Sequence, residues 1–452
     1  MVKKTIAAIA TPLGESSIGV IRVSGEQAIA VADRVFFAFS GKPLASLSGY
    51  AAAYGQIRNG CDILDDAVAL VFKAPKSYTG EDVVELSVHG GRLILTKTLR
   101  LLFENGAVSA EPGEFTKRAF LNGKLDLTKA ESVMGLISAQ SEAQLRLSRA
   151  AHLGAVSRKI EKIEEDLRQA AASIAVFSDY PDEEIEGLDP SHFLAMLQCA
   201  EAETGQMLAT YDAGRIVREG LDTVIVGKPN VGKSTLMNFL SRAERSIVTD
   251  VAGTTRDVIE ETVTLGDLVL RLADTAGIHE TEDKVESVGV ARATARMETA
   301  DLVLAVLDGS APLDQDDFAL LSQLSPKNTV LVVNKSDLGH RLTDLPDGFR
   351  TVVISAKEGQ GFDDLCAAVA SVAGTAKLDP DSVVLLNERQ RDCAVRAKQA
   401  LREAVTAFSS GHTLDAVGIC VDDALAALYE LTGKRATNEV TDEIFRRFCV
   451  GK

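Results

Sequence analysis

The amino-acid sequence predicts a multidomain protein with a small α+β domain, an all-α helical domain and an inserted α/β domain. Three observations predict this. Short β-rich runs alternate with turns over the first 120 or so residues, and apolar residues then recur at spacings of three and four. Residues 227–234 match the phosphate-loop pattern G-x-x-x-x-G-K-S/T directly after an apolar run. The expected boundaries are 1–120 for the α+β domain, 121–216 and 378–452 for the helical domain, and 217–377 for the inserted domain.

The amino-terminal domain shows strand patterns followed by a helix pattern. β-branched and apolar residues dominate 19–23, 67–72 and 83–88, which are predicted strands, and residues 93–103 are predicted to form a helix.

Helical periodicity begins near Asp126 and returns after the inserted domain. A half-apolar helix needs a partner, so we expect helices of both flanks to pack into one domain, which the inserted domain leaves and rejoins near Ile216 and Lys377. A coiled-coil dimer is the alternative. The predicted stripes are Leu153, Val156, Ile160, Ile163 and Leu167 before the insertion, then Cys393, Ala397, Ala400, Ala404 and Phe408, and Leu425, Leu428 and Leu431.

The phosphate loop lies between a strand pattern and a helix pattern, which is the context that a nucleotide site requires. Its backbone N–H groups can surround phosphate, Lys233 can bind the β and γ phosphates, and the Ser234 hydroxyl can coordinate Mg²⁺. The predicted contacts here are Asn230, Val231, Gly232, Lys233, Ser234 and Thr235.

Four further motifs follow in the order typical of a Ras-like P-loop GTPase. Thr255 can close over Mg²⁺ in a switch loop, Asp274 ends an apolar run beside the metal, and Asp337 can accept the two donors on guanine N1 and N2. The predicted nucleotide contacts are Gly253, Thr254, Thr255, Asp274, Thr275, Ala276, Gly277, Asn334, Lys335, Ser336, Asp337, Ser355, Ala356 and Lys357.

The position that holds a water-orienting glutamine in Ras-like proteins is Ile278, which cannot orient water. The remaining candidates are a second cation, a residue of the following loop, or a partner. Acidic residues in that loop can hold a water, although most of them are expected to be solvated: Glu280, Glu282, Asp283 and Glu286.

Composition limits the possible environments and partners. The net charge of −17 argues against a broad nucleic-acid-binding surface, although it leaves room for a local basic patch. Six scattered cysteines indicate neither a zinc site nor disulfides, and no apolar stretch is long enough for a transmembrane helix. We expect a cytoplasmic protein without a membrane partner.

Several segments outside the GTPase motifs are characteristic of one family. They are residues 75–82 (PKSYTGED), 112–116 (PGEFT), 118–126 (RAFLNGKLD), 181–184 (PDEE) and 448–452 (FCVGK). With these segments and Ile278, the whole chain closely resembles the MnmE (TrmE) family of tRNA-modification GTPases. The resemblance implies a K⁺ ion that draws two GTPase domains together, held by Asn230 and a loop that includes Thr249, Asp250, Val251, Ala252, Gly253 and Thr254. Thr249, Val251 and Thr254 are the metal ligands expected from that loop.

The resemblance also implies residue roles and partners. Glu286 matches the family's water-organising glutamate, and Cys449 matches a cysteine implicated in the modification chemistry. A homodimer through the amino-terminal domain is expected to bind 5-formyltetrahydrofolate, or a related one-carbon folate, with Arg22, Glu85, Lys124 and Lys452. An FAD-containing MnmG-like protein is the expected partner, in a heterotetramer or larger complex. Together they would add a carboxymethylaminomethyl- or aminomethyl-type group at C5 of the wobble uridine of tRNA.

Two positions depart from the family pattern, and two other functions compete. Residues 15–17 (ESS) replace the usual Arg-Gly-Gly near the first strand, and His279 stands where arginine is frequent.

A ribosome-assembly GTPase of the Era or Der type shares the GTPase motifs but would carry a basic RNA-binding domain or a second nucleotide domain. A folate-sensing scaffold with incidental hydrolysis is the third possibility.

Overall fold

The computed structural model describes residues 4–179, 189–243, 261–272, 297, 299–339, 342, 345–376 and 383–452. Two compact units are present. The first comprises residues 1–134 and 425–452, and the second comprises residues 135–424. The first unit therefore contains the last 28 residues of the chain, which the sequence assigned to the helical domain. The domain boundaries themselves remain predictions.

Strands occur in both units and fall into two sheets. In chain order they are β1 (Ile6–Ile9), β2 (Ser16–Ser24), β3 (Phe36–Ala38), β4 (Ala51–Asn59), β5 (Asp62–Phe72), β6 (Val83–Gly90), β7 (Val108–Ser109), β8 (Leu221–Val226), β9 (Glu261–Leu265), β10 (Leu268–Leu272), β11 (Leu302–Asp308), β12 (Thr329–Asn334) and β13 (Arg350–Val353). The three strands predicted in the amino-terminal domain are confirmed as β2, β5 and β6.

Helices occur in both units. In chain order they are α1 (Ala28–Asp33), α2 (Arg92–Glu104), α3 (Glu114–Leu121), α4 (Leu127–Ser138), α5 (Glu142–His152), α6 (Ala155–Asp179), α7 (Pro190–Ala209), α8 (Tyr211–Glu219), α9 (Lys233–Ala243), α10 (Gln315–Ser322), α11 (Phe362–Val372), α12 (Glu388–Ser409), α13 (Leu414–Thr432) and α14 (Asn438–Arg446). Short 3₁₀ helices lie at Leu44–Ser46 and Ser336–Leu338.

The first unit is an α+β structure, as the sequence predicts. Its described strands form one sheet in the order β3-β4-β5-β6-β2-β1-β7, in which only the short β1–β7 pair is parallel. Side chains alternate between the two faces of each strand. Ile21, Val23, Val84 and Leu86 point inward and are fully buried in a core that α1 and α2 help to close.

The sheet of the second unit positions the nucleotide motifs. Its described strands run in the order β13-β12-β11-β8-β10-β9, and every neighbouring pair is parallel except β10–β9. Parallel strands are usually buried on both faces and form continuous apolar runs, and every residue of β12 is buried accordingly. In such sheets ligands bind beyond the carboxyl ends of the strands. The phosphate loop follows β8, and the guanine motifs follow β12 and β13.

The first helical stripe is correct except at its first residue. Val156, Ile160, Ile163 and Leu167 are at most 1% exposed on α6, whereas Leu153 is 59% exposed. The reason is a break in the helix: Gly154 has a φ of +85°, which ends α5 and lets α6 begin at a new angle. Leu153 therefore lies in the turn, outside the stripe.

Helices on either side of the insertion pack against each other within the second unit. α7, before the inserted sheet, packs along α12, after it, and the rings of Phe193 and Phe408 approach to 4.9 Å between centroids. Cys393 and Ala397 of the predicted α12 stripe are at most 1% exposed. Packing within one chain therefore buries these stripes, and a coiled-coil dimer is not needed to explain them.

Candidate functional site

The phosphate loop has the backbone geometry of an anion cradle. Gly227 and Gly232 have φ values of +152° and +99°. A Cβ atom on Gly227 would lie 2.5 Å from the carbonyl oxygen of Val306, so a side chain at this position would collide with the neighbouring strand. α9 begins at Lys233, so its first N–H groups are directed towards the loop and favour a bound anion. Ser234 and Thr235 are exposed in this first turn.

The Lys233 amine is half-buried inside the loop. Its Nζ donates hydrogen bonds to the carbonyl oxygens of Gly227 and Lys228, each at 2.7 Å. Burial lowers the pKa of this amine. A phosphate oxygen is a stronger acceptor for an ammonium group than a carbonyl oxygen, so a bound triphosphate would draw Lys233 away from the loop.

Asn334 joins three motifs. Its Nδ2 donates to the carbonyl oxygen of Val231 at 3.1 Å, and its Oδ1 accepts from the N–H of Ala356 at 3.0 Å. The side chain is 3% exposed, and a Cβ on Gly232 would lie 2.3 Å from Nδ2. Asn334 thus ties the phosphate loop to the two guanine motifs.

The predicted guanine-reading carboxylate is exposed and oriented by a neighbour. Asp337 lies in the 3₁₀ helix after β12, and its Oδ1 accepts a hydrogen bond from Ser355 Oγ at 2.7 Å. Ser355 is fully buried and itself accepts from the N–H of Glu358 at 3.2 Å. The carboxylate is therefore fixed from one side and open to a base on the other. Lys357, two residues after Ser355, is exposed.

Two lysines around the loops form ion pairs that the sequence reasoning missed. Lys335, which has a φ of +66°, donates to Asp308 Oδ2 at 2.6 Å. Burial alone would raise the pKa of Asp308, but hydrogen bonds from Lys335 and Ser310 hold its pKa below the usual value. Lys228 contacts Asp314 at 2.5 Å and Asp317 at 2.7 Å. Each pair fixes one motif to a neighbouring strand or helix.

Some of the predicted nucleotide, metal and catalytic residues lie outside the described residues. This holds for Thr249, Asp250, Val251, Ala252, Gly253, Thr254, Thr255, Asp274, Thr275, Ala276, Gly277 and Glu286. Ser234 and Asn230 are the described members of the predicted Mg²⁺ and K⁺ ligand sets, and both are exposed. Within the described ranges, no group of three or more His, Cys, Asp or Glu side chains could hold a metal ion.

A second cluster, in the first unit, brings together two residues predicted to bind folate. Arg22 on β2 faces Glu85 on β6, and its Nε and a terminal nitrogen both lie 2.8 Å from Glu85 Oε1. The guanidinium also lies 5.7 Å from the ring centre of Tyr78 and 5.6 Å from that of Phe115. Burial raises the pKa of the Tyr78 hydroxyl, which keeps it protonated. A cation, an anion and two rings therefore meet at one place. These residues, Arg22, Tyr78, Glu85 and Phe115, are called the Arg22 cluster.

The loop that carries Tyr78 is held by an ion-pair network that the sequence reasoning missed. Arg118 is 6% exposed, and it pairs with Glu81 at 2.9 Å and with Glu114 at 2.7 Å. Lys124, the third predicted folate residue, donates to the carbonyl oxygen of Pro75 in the same loop at 3.1 Å. The motifs at 75–82 and 118–126 are thus parts of one arrangement.

Gly451 and Lys452 are held within the first unit by backbone contacts. The carbonyl oxygen of Lys452 accepts from the N–H of Phe115 at 3.2 Å, and that of Gly451 accepts from Arg22 at 3.3 Å. Gly451 has a φ of +98°, and a Cβ there would lie 2.4 Å from the carbonyl oxygen of Ile9. The Lys452 side chain is half-buried, and Cys449 is an exposed free thiol. The backbone of Lys452, the fourth predicted folate residue, thus lies beside the Arg22 cluster.

Comparisons with known proteins agree with these features. Residues 5–124 match the family described as "GTP-binding protein TrmE N-terminus", and residues 127–449 match "MnmE helical domain". The chain is 43% identical over 460 residues to a tRNA modification GTPase MnmE of Symbiobacterium thermophilum, with all of both chains covered. The corresponding protein of Geobacter sulfurreducens is 41% identical over 458 residues, again with full coverage of both.

One solved structure illustrates a more distant likeness. The G-domain of FeoB from Methanococcus jannaschii aligns with 34% of this chain and 98% of its own at 24% identity, with a TM-score of 0.25. This score is too low to support an inference. Separately, no helix in the described part of the chain is long and apolar enough to cross a membrane. The expected cytoplasmic location stays a prediction.

Proposed function

Because the chain belongs to the MnmE family of tRNA modification GTPases, we propose that its GTP hydrolysis drives modification of the wobble uridine of tRNA at C5. The product would be a carboxymethylaminomethyl- or aminomethyl-type uridine at position 34. The observation that carries this proposal is similarity along the whole chain, which covers the flanking domains as well as the GTPase motifs. It favours tRNA modification over the ribosome-assembly alternative, which shares the GTPase motifs alone.

The test is nucleoside analysis of tRNA from a strain in which the gene is deleted. We expect the modified wobble uridine to be lost, to return with the wild-type gene, and to stay absent with Asp337→Asn. Unchanged tRNA in the deletion strain would sink the proposal. Full rescue by Asp337→Asn would instead separate modification from guanine nucleotide binding and favour a role in which hydrolysis is incidental.

For hydrolysis, we propose that the phosphate loop binds the triphosphate while Lys233 stabilises the charge that develops on the transferred phosphate. The exposed Ser234 hydroxyl fits Mg²⁺, with Thr255 and Asp274 as its expected companions. A bound Mg²⁺ would neutralise the negative charge of the phosphates. Glu286 is proposed to position the attacking water. Glu286→Ala should then lower kcat on the order of 10²–10³-fold while GTP affinity changes little.

Among the residues that the structure describes, Asn230 is proposed as a ligand of K⁺. It is exposed in the phosphate loop in a left-handed conformation, with a φ of +64°, and an amide oxygen is a suitable ligand for a hard cation. A bound K⁺ would supply positive charge where other GTPases use an arginine finger. The test is the GTPase rate in K⁺ and in Na⁺ at equal ionic strength. Stimulation by K⁺ alone, abolished in Asn230→Ala, is expected, and equal rates in both salts would contradict the assignment.

The Arg22 cluster is proposed to bind 5-formyltetrahydrofolate or a related one-carbon folate. Glu85 can accept from the donor face of a pterin, the nearby rings can pack against it, and Lys124 and Lys452 can meet its carboxylates. A bound folate would supply the one-carbon unit. We expect Glu85→Gln to weaken folate binding in equilibrium dialysis, with nucleotide affinity retained. Equal folate affinity in the variant would refute this site.

The outer face of the first unit's sheet is proposed as the homodimer surface. Phe37, Phe39, Tyr54 and Val68 are 41–58% exposed there, and the Phe39 and Tyr54 rings contact each other at 5.0 Å. Exposed apolar residues grouped in this way mark interaction sites. Replacement of Tyr54 by aspartate should convert a dimer to a monomer in light scattering. A wild-type monomer at micromolar concentration would contradict the proposal.

The expected FAD-containing partner is proposed to meet the chain near Cys449. The thiol is exposed, while the carbonyl oxygen of Cys449 accepts from the N–H of Gly113 and the preceding Phe448 is buried. The side chain is therefore both accessible and positioned. Cys449→Ser should retain GTP hydrolysis and lose wobble modification in the reconstituted system. Full modification by this variant would remove Cys449 from the proposed chemistry.

A further inference from the structure

Charge is distributed unevenly along this acidic chain. The first unit carries 20 Lys and Arg residues against 18 Asp and Glu residues, whereas the second carries 28 against 47. The second unit therefore has a net charge of −19, and the first a net charge of +2. An acidic surface repels a polyanion, so the nearly neutral first unit is the more favourable one for a nucleic acid to contact, at whatever point its cations are grouped.

Within the first unit, four cationic side chains lie near the carboxyl end. Arg446 and Arg447 follow each other at the end of α14, and their side chains are 76% and 81% exposed. Lys434 and Arg435 are exposed in the turn after α13 and lie 5.7 and 5.3 Å from the ring centre of Tyr429. These four cations are called here the carboxyl-terminal cationic surface.

The two pairs of cations are attached to the same packed cluster. The ring of Phe120 lies 6.5 Å from that of Phe445, one residue before Arg446, and Phe445 lies 5.1 Å from Phe448. A Cβ on Gly433, one residue before Lys434, would lie 2.9 Å from the Phe120 ring. The cationic surface is therefore built on a rigid base that also holds the residue preceding Cys449.

The acidic residues beside Arg446 and Arg447 do not cancel the charge of these two arginines. Glu443 lies 3.7 Å from Arg446 and 3.5 Å from Arg447, on the same helix and exposed. Exposed ion pairs of this kind contribute little net stability, so a phosphate can compete for the guanidinium groups. Asp442 is already paired with Lys117 at 2.5 Å.

We propose that the carboxyl-terminal cationic surface binds the sugar-phosphate backbone of tRNA beside Cys449. This rests on the proposed function, in which tRNA is the substrate, and adds the place where this chain contacts it. Arginine guanidinium groups match the geometry of phosphate oxygens, and two adjacent arginines can contact successive phosphates. Such contacts would hold the anticodon arm near the exposed thiol without reading its sequence.

The test is a titration of fluorescently labelled tRNA transcript with the full-length protein at several KCl concentrations. The variant is Arg446→Gln with Arg447→Gln. The matched control is Arg146→Gln with Arg168→Gln, because these two arginines are also exposed, at 54% and 52%, and each is paired with a carboxylate on its own helix in the second unit. Each phosphate contact contributes about 0.7–0.9 to the slope of log affinity against log salt. We expect the variant to lose roughly tenfold in affinity and about 1.5 in slope.

The conservative variant Arg446→Lys with Arg447→Lys should recover most of the affinity, which separates a charge effect from misfolding. Equal tRNA binding by the wild type, the glutamine variant and the control would refute the assignment of this surface as a tRNA-binding site. It would leave unchanged the proposal that tRNA is the substrate. Absence of tRNA binding by the wild type at low salt would also overturn it. Failure of the proposed function would show separately, as unchanged wobble uridine in the deletion strain.

Discussion

Asp337→Asn provides a sharp test of guanine recognition. In the structure, Ser355 Oγ holds one carboxylate oxygen at 2.7 Å, and the exposed side of the carboxylate is free to accept from guanine N1–H and N2–H. Each hydrogen bond to a charged group contributes about 1.5–3 kcal/mol. Loss of both therefore costs about 3–6 kcal/mol, which corresponds to roughly 10²–10⁴ in affinity for GTP and GDP.

The same substitution should improve the binding of xanthine nucleotides. Xanthine has a carbonyl group where guanine has its 2-amino group, and the asparagine amide can donate to that carbonyl. Calorimetric titration with GDP and with xanthosine diphosphate in Mg²⁺ measures both effects. The matched control is Asp363→Asn, an exposed carboxylate in the first turn of α11. A parallel loss of both nucleotides, or unchanged GDP affinity, would refute the assigned role of Asp337.

Three further predictions concern the fold. Ile160→Ala should lower the free energy of unfolding by about 2–5 kcal/mol because the side chain is fully buried, whereas Leu153→Ala should cost under about 0.5 kcal/mol in the same urea titration. The hydrogen bond with Asp65 raises the pKa of His89 above its ordinary 6.5, so this pair stabilises the fold fully below that value and progressively less as pH rises through the raised pKa. Asp65→Asn should return the NMR titration midpoint of His89 towards 6.5, and an unchanged midpoint would contradict the pairing. Gly451→Ala should loosen the carboxyl-terminal tail because the new Cβ would collide with neighbouring backbone. Carboxypeptidase should then release the last residues faster than in the wild type. Release at the wild-type rate would contradict that packing.

Local patterns account for what the sequence predicted well. The phosphate loop and the guanine motifs depend on short segments that follow strands, and parallel strands bring the ends of β8, β12 and β13 to one edge. Helix stripes were likewise visible as periodicity. The error at Leu153 arose because the pattern of three and four continues across Gly154, although the helix does not.

Contacts between distant segments could not be predicted from local pattern. Asp314 lies 86 residues from Lys228, and Arg118 lies 37 from Glu81. No periodicity links such partners, since their meeting depends on how strands and helices pack. Local pattern also could not predict that the carboxyl-terminal tail lies beside Arg22. The two were expected to share a site only because the chain resembles a family, and the hydrogen bonds that fix the tail involve backbone atoms.

The most direct measurement of the central claim is a reconstitution with purified chain, the FAD-containing partner, folate, ammonium or glycine as the amine donor, and unmodified tRNA. Mass analysis of the wobble nucleoside would follow incubation with GTP, with GDP, or with a non-hydrolysable GTP analogue. Our account predicts C5-modified uridine with GTP alone, and none when Asp337→Asn replaces the wild type. Equal modification with GDP, or none with any nucleotide, would contradict the claim that GTP hydrolysis by this chain drives the reaction.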